Sequence, residues 1–369
     1  MGQKTIITPT VTVTESYNSN SLFSEEGKDD WNSITTISPN MSFTRGYTKG
    51  TLSGSAGVGL EYFPDRSDLN SETYNAGLNF NIMLTSKTNF TFNERFSFSP
   101  DSLELSSDTF SDTDTGIQVE RNDTLSNSLS LSIDHSLSSA VSIGLTVSDN
   151  RTEYESPLSD IRSNSIAPVL NIDKALTSKT SLDSSYNFTR FYSERDGGNK
   201  VRDAHSLLLG FNHRFMPDFS LKMSGGVVYT PESGFHYDVI GNTAFTRSTK
   251  MSRMSLGYSR KIATTSGLSD DLSMSQGLSF NLTSALTRYL SLSMNAGIHS
   301  NKSETSNSVD LLSYNAGVSG SWQPYTWMSV GIGYSHFQQE KESDTTKGEA
   351  LSRDSVFLSI KVTPAVWRL

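Results

Sequence analysis

Among the histidines at 135, 205, 213, 236, 299 and 336, His236 forms the most catalytic-looking pair, with Asp238. In an extended segment residues two apart share a face, and Phe235, Tyr237 and Val239 occupy the opposite one. A histidine oriented by a carboxylate is one part of a general-base site. Such a base needs a nucleophile or held water within about 3 Å, and no spacing in the chain supplies one. The pair therefore reads as a hydrogen-bonding unit, and the chain is not expected to be an enzyme. With 0 cysteines, disulfides, thiolate metal sites and covalently attached c-type haem are excluded, and no cofactor is expected. Asp108, Asp112 and Asp114 cluster in an acidic stretch, but without the ligand-and-glycine order of an EF-hand.

The cations carry more information. Arg95, Arg214, Lys222, Arg253, Lys261 and Lys361 alternate with apolar residues in their segments, as do Asp134, Asp173 and Asp183. Such residues should share one polar face, where they serve either as a mixed ladder that stiffens the wall or as a charge selector. Arg214, Lys222, Arg253 and Lys261 fall in adjacent or nearly adjacent segments and would make a basic stripe suited to carboxylates. Phe191, Trp327, Phe337 and Phe357 take the same phase and could stack on sugar rings.

The elements that hold these residues are strands. Phe90, Phe92, Phe96 and Phe98 alternate with Asn89, Thr91, Asn93, Arg95 and Ser97, a period-two pattern. Leu129, Leu131 and Ile133 oppose Ser130 and Ser132; Val141, Ile143 and Leu145 oppose Ser142; Leu290 and Leu292 oppose Ser291. The polar face is small-sided and poor in the Lys and Glu of ordinary solvent surface. A beat of about 38 residues also runs through the chain, the sign of a repeated unit. Leu84-Thr-Ser-Lys-Thr-Asn-Phe90 recurs as Leu176-Thr-Ser-Lys-Thr-Ser-Leu182 and, more loosely, as Leu286-Thr-Arg-Tyr-Leu-Ser-Leu292. Each unit is a hairpin with one tight turn and one long polar loop.

Tight turns at one end and long loops at the other predict a transmembrane antiparallel up-and-down β-barrel of about 18 strands, within 16–20, formed by residues 1–369 as a single domain. Expected strands are 5–17, 30–45, 50–63, 71–84, 88–99, 122–135, 140–153, 162–175, 180–193, 201–215, 218–230, 235–247, 251–264, 271–286, 289–301, 308–322, 326–339 and 350–365. The longest loop, 100–121, should be extracellular. Composition agrees: 34% hydrophobic and 19% charged residues are too few for a soluble core of this size, whereas a wet barrel needs apolar residues on one face only. No apolar run of about 18 residues is present for a membrane helix. Tyr47, Tyr62, Phe63, Tyr229, Tyr289, Trp322, Tyr325, Trp327 and Trp367 lie near strand ends, where interfacial girdles form. Met1-Gly2-Gln3-Lys4 shows no apolar leader segment, so the sequence is expected to approximate a mature chain. An even strand number puts both termini in the periplasm, and the net charge of −9 argues against nucleic acid.

The opening residues carry a further signal. Pro9-Thr-Val-Thr-Val-Thr-Glu15-Ser-Tyr17-Asn-Ser-Asn20, then Leu22-Phe23, Asp30, Ile34 and Ile37-Ser-Pro39-Asn-Met-Ser-Phe43, resemble the start of outer-membrane β-barrels from exopolysaccharide and exosortase (PEP-CTERM) gene clusters of Gram-negative bacteria. Glu-x-Tyr-x-x-Asn and an Ile-x-Pro step carry this resemblance, and the later hairpins share only its texture. It implies a pore in the Gram-negative outer membrane, set among its lipids, through which exopolysaccharide leaves the cell. Arg95, Arg214, Lys222, Arg253, Lys261, His236 and Asp238 would line the lumen and meet an anionic polysaccharide. Alternatives are the barrel sheath of a porin–cytochrome electron conduit and a general diffusion porin. A periplasmic export or cytochrome partner would sit on the short-turn side.

Overall fold

The structure, a computed structural model, describes residues 4–20, 31–100, 123–155, 161–195, 198–231, 236–264, 272–303, 310–342, 347–364 and 366–368. The expected loop 100–121 lies outside them, apart from residue 100. The strands are β1 (Thr5–Ser19), β2 (Trp31–Tyr47), β3 (Gly50–Tyr62), β4 (Ser71–Met83), β5 (Thr88–Ser99) and β6 (Asp123–Ser136). They continue as β7 (Val141–Glu155), β8 (Ile161–Ala175), β9 (Thr180–Arg195), β10 (Gly198–Met216), β11 (Phe219–Thr230) and β12 (His236–Ser248). Last come β13 (Ser252–Thr264), β14 (Leu272–Ala285), β15 (Leu290–Ser303), β16 (Asp310–Tyr325), β17 (Met328–Glu342), β18 (Lys347–Val362) and the two-residue β19 (Trp367–Arg368). Each strand pairs antiparallel with its sequence neighbours, and β1 pairs with β18 and β2. The result is a closed 18-strand antiparallel barrel, with β19 a short continuation of the last strand. The described residues include one complete 3-10 turn, Ser67–Leu69, and no α-helix.

Closure is not a perfect ladder. Val11–Asn18 pair with Val362–Ser355, whereas Ile6 and Ile7 pair with Arg368 and Trp367. The last strand thus has one residue more than the first between these two stretches. Pro9 and Pro364 fall in that interruption; neither has an N–H to donate, so a bulge is where they are tolerated.

Registers fix the faces. Leu131 pairs with Phe92 and Val147, and Ile133 with Phe90 and Leu145; these side chains form an apolar outer surface, and Leu131, Ile133, Leu145 and Leu290 are exposed on it. In water such a surface would be prohibitive, and in hydrocarbon it is the expected one. Ser132 pairs with Thr146 on the inner face, their hydroxyls 2.7 Å apart. Tight turns close by repeated use of one threonine: the Thr85, Thr177 and Thr287 hydroxyls accept from Lys87, Lys179 and Tyr289 N–H respectively. This explains the recurring Leu-Thr-x-x motif, since an ST-turn satisfies the backbone locally.

Aromatic rings ring both ends. Tyr325 stacks on Trp327 (5.3 Å between centroids) at the short-turn end, and Tyr17 stacks on Trp31 (4.9 Å) at the long-loop end. Two sequence expectations are corrected here. Phe63 is only 2% exposed and its N–H donates to Asn70 Oδ1, so loop packing rather than the girdle claims it. Trp327 lies in the β16–β17 turn, exposed against Tyr325, so it does not line the lumen.

Candidate functional site in the lumen

The two halves of the lumen differ. Toward the short-turn end, inward Arg95, Asp134, Asp173, Arg214, Lys222, Arg253 and Lys361 are exposed to its interior. Toward the long-loop end, inward Ser163, Phe191, Val228, Ser275, Asn301, Ser313 and Phe337 are buried, Asn301 completely. The vestibule at the short-turn end is therefore lined by open polar side chains, and the named inward side chains of the outer half are covered.

Arg95 is placed on β5 between Gly77 and Ser128. It borders a recess of about 360 Å³ whose inward residues include Ser42, Thr44, Ser53, Ser55, Asn79 and Asn93. Gly77 supplies the depth, because the nearest atoms to a Cβ there would be 3.7 Å away. Asn79 donates to Asn93, and Asn81 Nδ2 donates to Thr91 Oγ1 at 2.9 Å. The wall is thus hydroxyl and amide with one guanidinium, chemistry that takes polyols and carboxylates.

Arg214 and Lys222 are diagonal neighbours, since Arg214 pairs with Ser220 and Asn212 with Lys222. Arg253 pairs with Ser248 and Thr283, and Lys261 with Ser275, eight residues further along β13. At the roughly 3.3 Å rise of a strand, the stripe spans about 26 Å along β13. It is not purely basic: Asp173 pairs directly with Asp183, which interacts electrostatically with both Asp173 and Lys222. Asp183 lies over Gly210 and Asp134 over Gly144, each glycine leaving space for a carboxylate.

His236 opens β12 opposite Thr230. Asp238 engages Arg260 instead, Oδ1 to Nη2 3.2 Å, which ties the carboxylate to a cation rather than to a general base. Phe357 lies over Gly333 on the inner face. Phe191 and Phe337 are only 4% exposed, so neither ring is open for stacking. At the long-loop end Arg66 forks Asp68 at 3.1 and 3.2 Å, holding that carboxyl below its usual range.

The outer surface, the closure and the wet interior together decide the architecture. It is that of outer-membrane β-barrels. The Pseudomonas aeruginosa outer membrane protein OpdK, solved with vanillate, superposes with TM-score 0.52 at 9% identity over 99% of each chain. Acinetobacter baumannii OccAB4 matches at TM-score 0.50 and 10% identity, over 100% of this chain and 99% of that one. The siderophore receptor PirA of P. aeruginosa matches at 0.53 and 8%, over 98% of this chain and 80% of its own. No protein-family model and no curated relative matches the sequence.

Sequence reasoning missed one feature of the site. On the inner face Phe191, Ala204, Val228 and Ile240 form an apolar cluster with Leu208, Ile262 and Met274 packed against it. A signal was present: Leu207-Leu208-Leu209, Val227-Val228 and Val239-Ile240 break the alternation, which marks strands apolar on both faces.

Proposed function

We propose that the chain is a hydrophilic channel of the Gram-negative outer membrane, with both termini periplasmic, and that its passenger is an anionic polysaccharide leaving the cell. One observation carries this reading: the vestibule wall of serine, threonine and asparagine in which Arg95 stands beside a recess, with Arg214 and Lys222 exposed across the same lumen. Fixed cations in a confined, low-dielectric channel raise the local concentration of anions, and hydroxyl and amide groups exchange hydrogen bonds with sugar hydroxyls. The resemblance of the first strands to exopolysaccharide-cluster barrels points to the same passenger. A second reading, diffusion of small anions, is favoured by the full-length likeness to OpdK, whose structure holds vanillate.

The test combines two measurements. Reversal potential across a planar bilayer under a salt gradient is compared between the parent and a triple variant with Arg95, Arg214 and Arg253 each replaced by Glu. Selectivity should move toward cations, and unchanged selectivity would remove these side chains from the conducting path. Surface polysaccharide is then compared between a deletion strain and its complement. Normal polysaccharide in the deletion strain, with anion selectivity intact, would leave small-anion diffusion as the function.

A further inference from the structure

The wall between β12 and β13 is not closed by hydrogen bonds over its whole height. The ladder runs from Ser248↔Arg253 to Gly241↔Arg260 and stops. Both strands continue beyond it. His236–Ile240 remain paired to β11, and Lys261–Thr264 remain paired to β14. Two sheet edges therefore face each other in the long-loop half without a shared ladder.

The side chains show how the edges meet. On β13, Met254, Leu256 and Tyr258 are exposed on the outer face, and Arg260 and Ile262 continue that phase. On β12, Tyr237 and Val239 point outward, 69% and 67% exposed, so Asp238 and Ile240 point inward. Yet Arg260 reaches Asp238, and Ile262 packs against the cluster that holds Ile240 and Val228. Outer-phase residues of β13 touch inner-phase residues in two independent contacts, Arg260 on Asp238 of β12 and Ile262 on the inner-face cluster. The edge of β13 thus passes inside the edge of β12, as an overlapping joint.

We infer that this joint is a lateral portal between the lumen and the membrane, and that it takes a single-chain anionic amphiphile, an acyl carboxylate. The joint is apolar where Ile262 meets the cluster, so an acyl chain can replace Ile262 there while Arg260 and Asp238 stay paired at the margin and no polar group is stranded. Arg260 stands at its margin with Nη2 on Asp238 and a buried Nε–H that has no acceptor, one charge-assisted donor left for a ligand carboxylate oxygen. One chain fits better than two, because the cluster is a single small group of side chains already packed together. Few backbone bonds need to break, since the edges share none above Gly241 and Arg260. This reading stands whether or not a polymer uses the axial path.

The absence of native cysteines makes the test clean. Leu208→Cys, at the margin of the cluster, and Ser132→Cys, on the lumen wall elsewhere, are each labelled with a small fluorophore in nanodiscs. Stearate carrying a nitroxide on its chain should quench the Leu208 label at least threefold more than the Ser132 label. Arg260→Gln should reduce that quenching severalfold. In the triple variant Leu208→Cys/Ile240→Cys/Ile262→Cys, oxidising the 240–262 pair to a disulfide with copper–phenanthroline before the remaining thiol is labelled should abolish it, with recovery on reduction. Equal quenching at the two labels, or quenching indifferent to the disulfide, would overturn the portal. Equal quenching by a nitroxide phospholipid would overturn the single-chain ligand, and equal quenching by the nitroxide fatty alcohol would overturn the role of Arg260.

Discussion

Replacing Leu131 or its neighbour Ser132 by Arg puts the same charge on opposite sides of one strand. Leu131 lies between Phe92 and Val147 on the outer face, five residues before the end of β6 at Ser136. At about 3.3 Å per residue and a tilt near 40°, that places it roughly 13 Å above the short-turn rim, the middle of an apolar band about 25 Å tall. An arginine there should cost about 2–4 kcal/mol, a factor of roughly 30 to 700 in the folding equilibrium. Ser132→Arg loses the 2.7 Å bond to Thr146, worth about 1 kcal/mol, while its guanidinium enters water in the lumen. Reversible urea unfolding in phospholipid vesicles measures both. Leu131→Arg should fall below Ser132→Arg by at least about 1 kcal/mol. Equal losses, or the reverse order, would refute the facing of every strand that shares this register.

Three further outcomes are expected. A Cβ at Gly226 would meet Leu207 O at 1.8 Å, whereas at Gly225 nothing lies within 4 Å; in the same unfolding assay Gly226→Ala should cost about 1–3 kcal/mol and Gly225→Ala less than about 0.5 kcal/mol. Glu94 faces outward between Leu78 and Leu129, six residues above the start of β5, so Glu94→Leu should stabilise the inserted barrel by about 1 kcal/mol, the cost of an acid at that depth, seen as a shifted urea midpoint. Asp173→Asn removes one of two directly opposed carboxylates and should raise stability by about 0.2–1 kcal/mol at neutral pH, a gain that shrinks when unfolding is repeated in concentrated salt.

Strand positions and faces were legible because each strand meets lipid on one side and water on the other, which writes period two into the sequence. Expected 88–99 and observed Thr88–Ser99 coincide, and 201–215 differs from Gly198–Met216 mainly at the long-loop end, where strands extend beyond any apolar belt and alternation fades. The placement of Arg95, Arg214, Lys222 and Arg253 on inward positions followed from the same phase. What alternation cannot encode is contact across the wall. The pairing of Asp238 with Arg260, inner phase to outer phase, contradicts any phase argument applied to either residue alone. Trp327 failed for a simpler reason, since a two-residue turn resets the phase that its neighbours would give it. The opposition of Asp173 and Asp183 needed the register between β8 and β9, and register depends on the turn that joins them.

Every ladder but one in this barrel joins strands that are neighbours along the chain. The exception is the seam at Pro9 and Pro364, where Val11 meets Val362. The entropy of bringing those ends together rises only as the logarithm of the length between them. Removing or duplicating one hairpin of about 38 residues from a loop of about 350 would change that entropy by only ~0.1 kcal/mol. Circumference is therefore almost free to vary in whole hairpins. A seam already interrupted by two prolines asks little of the register with which the ends arrive. The repeated Leu-Thr-x-x turn then marks the increment in which such a wall can widen or narrow, two strands at a time, without redesign of its closure.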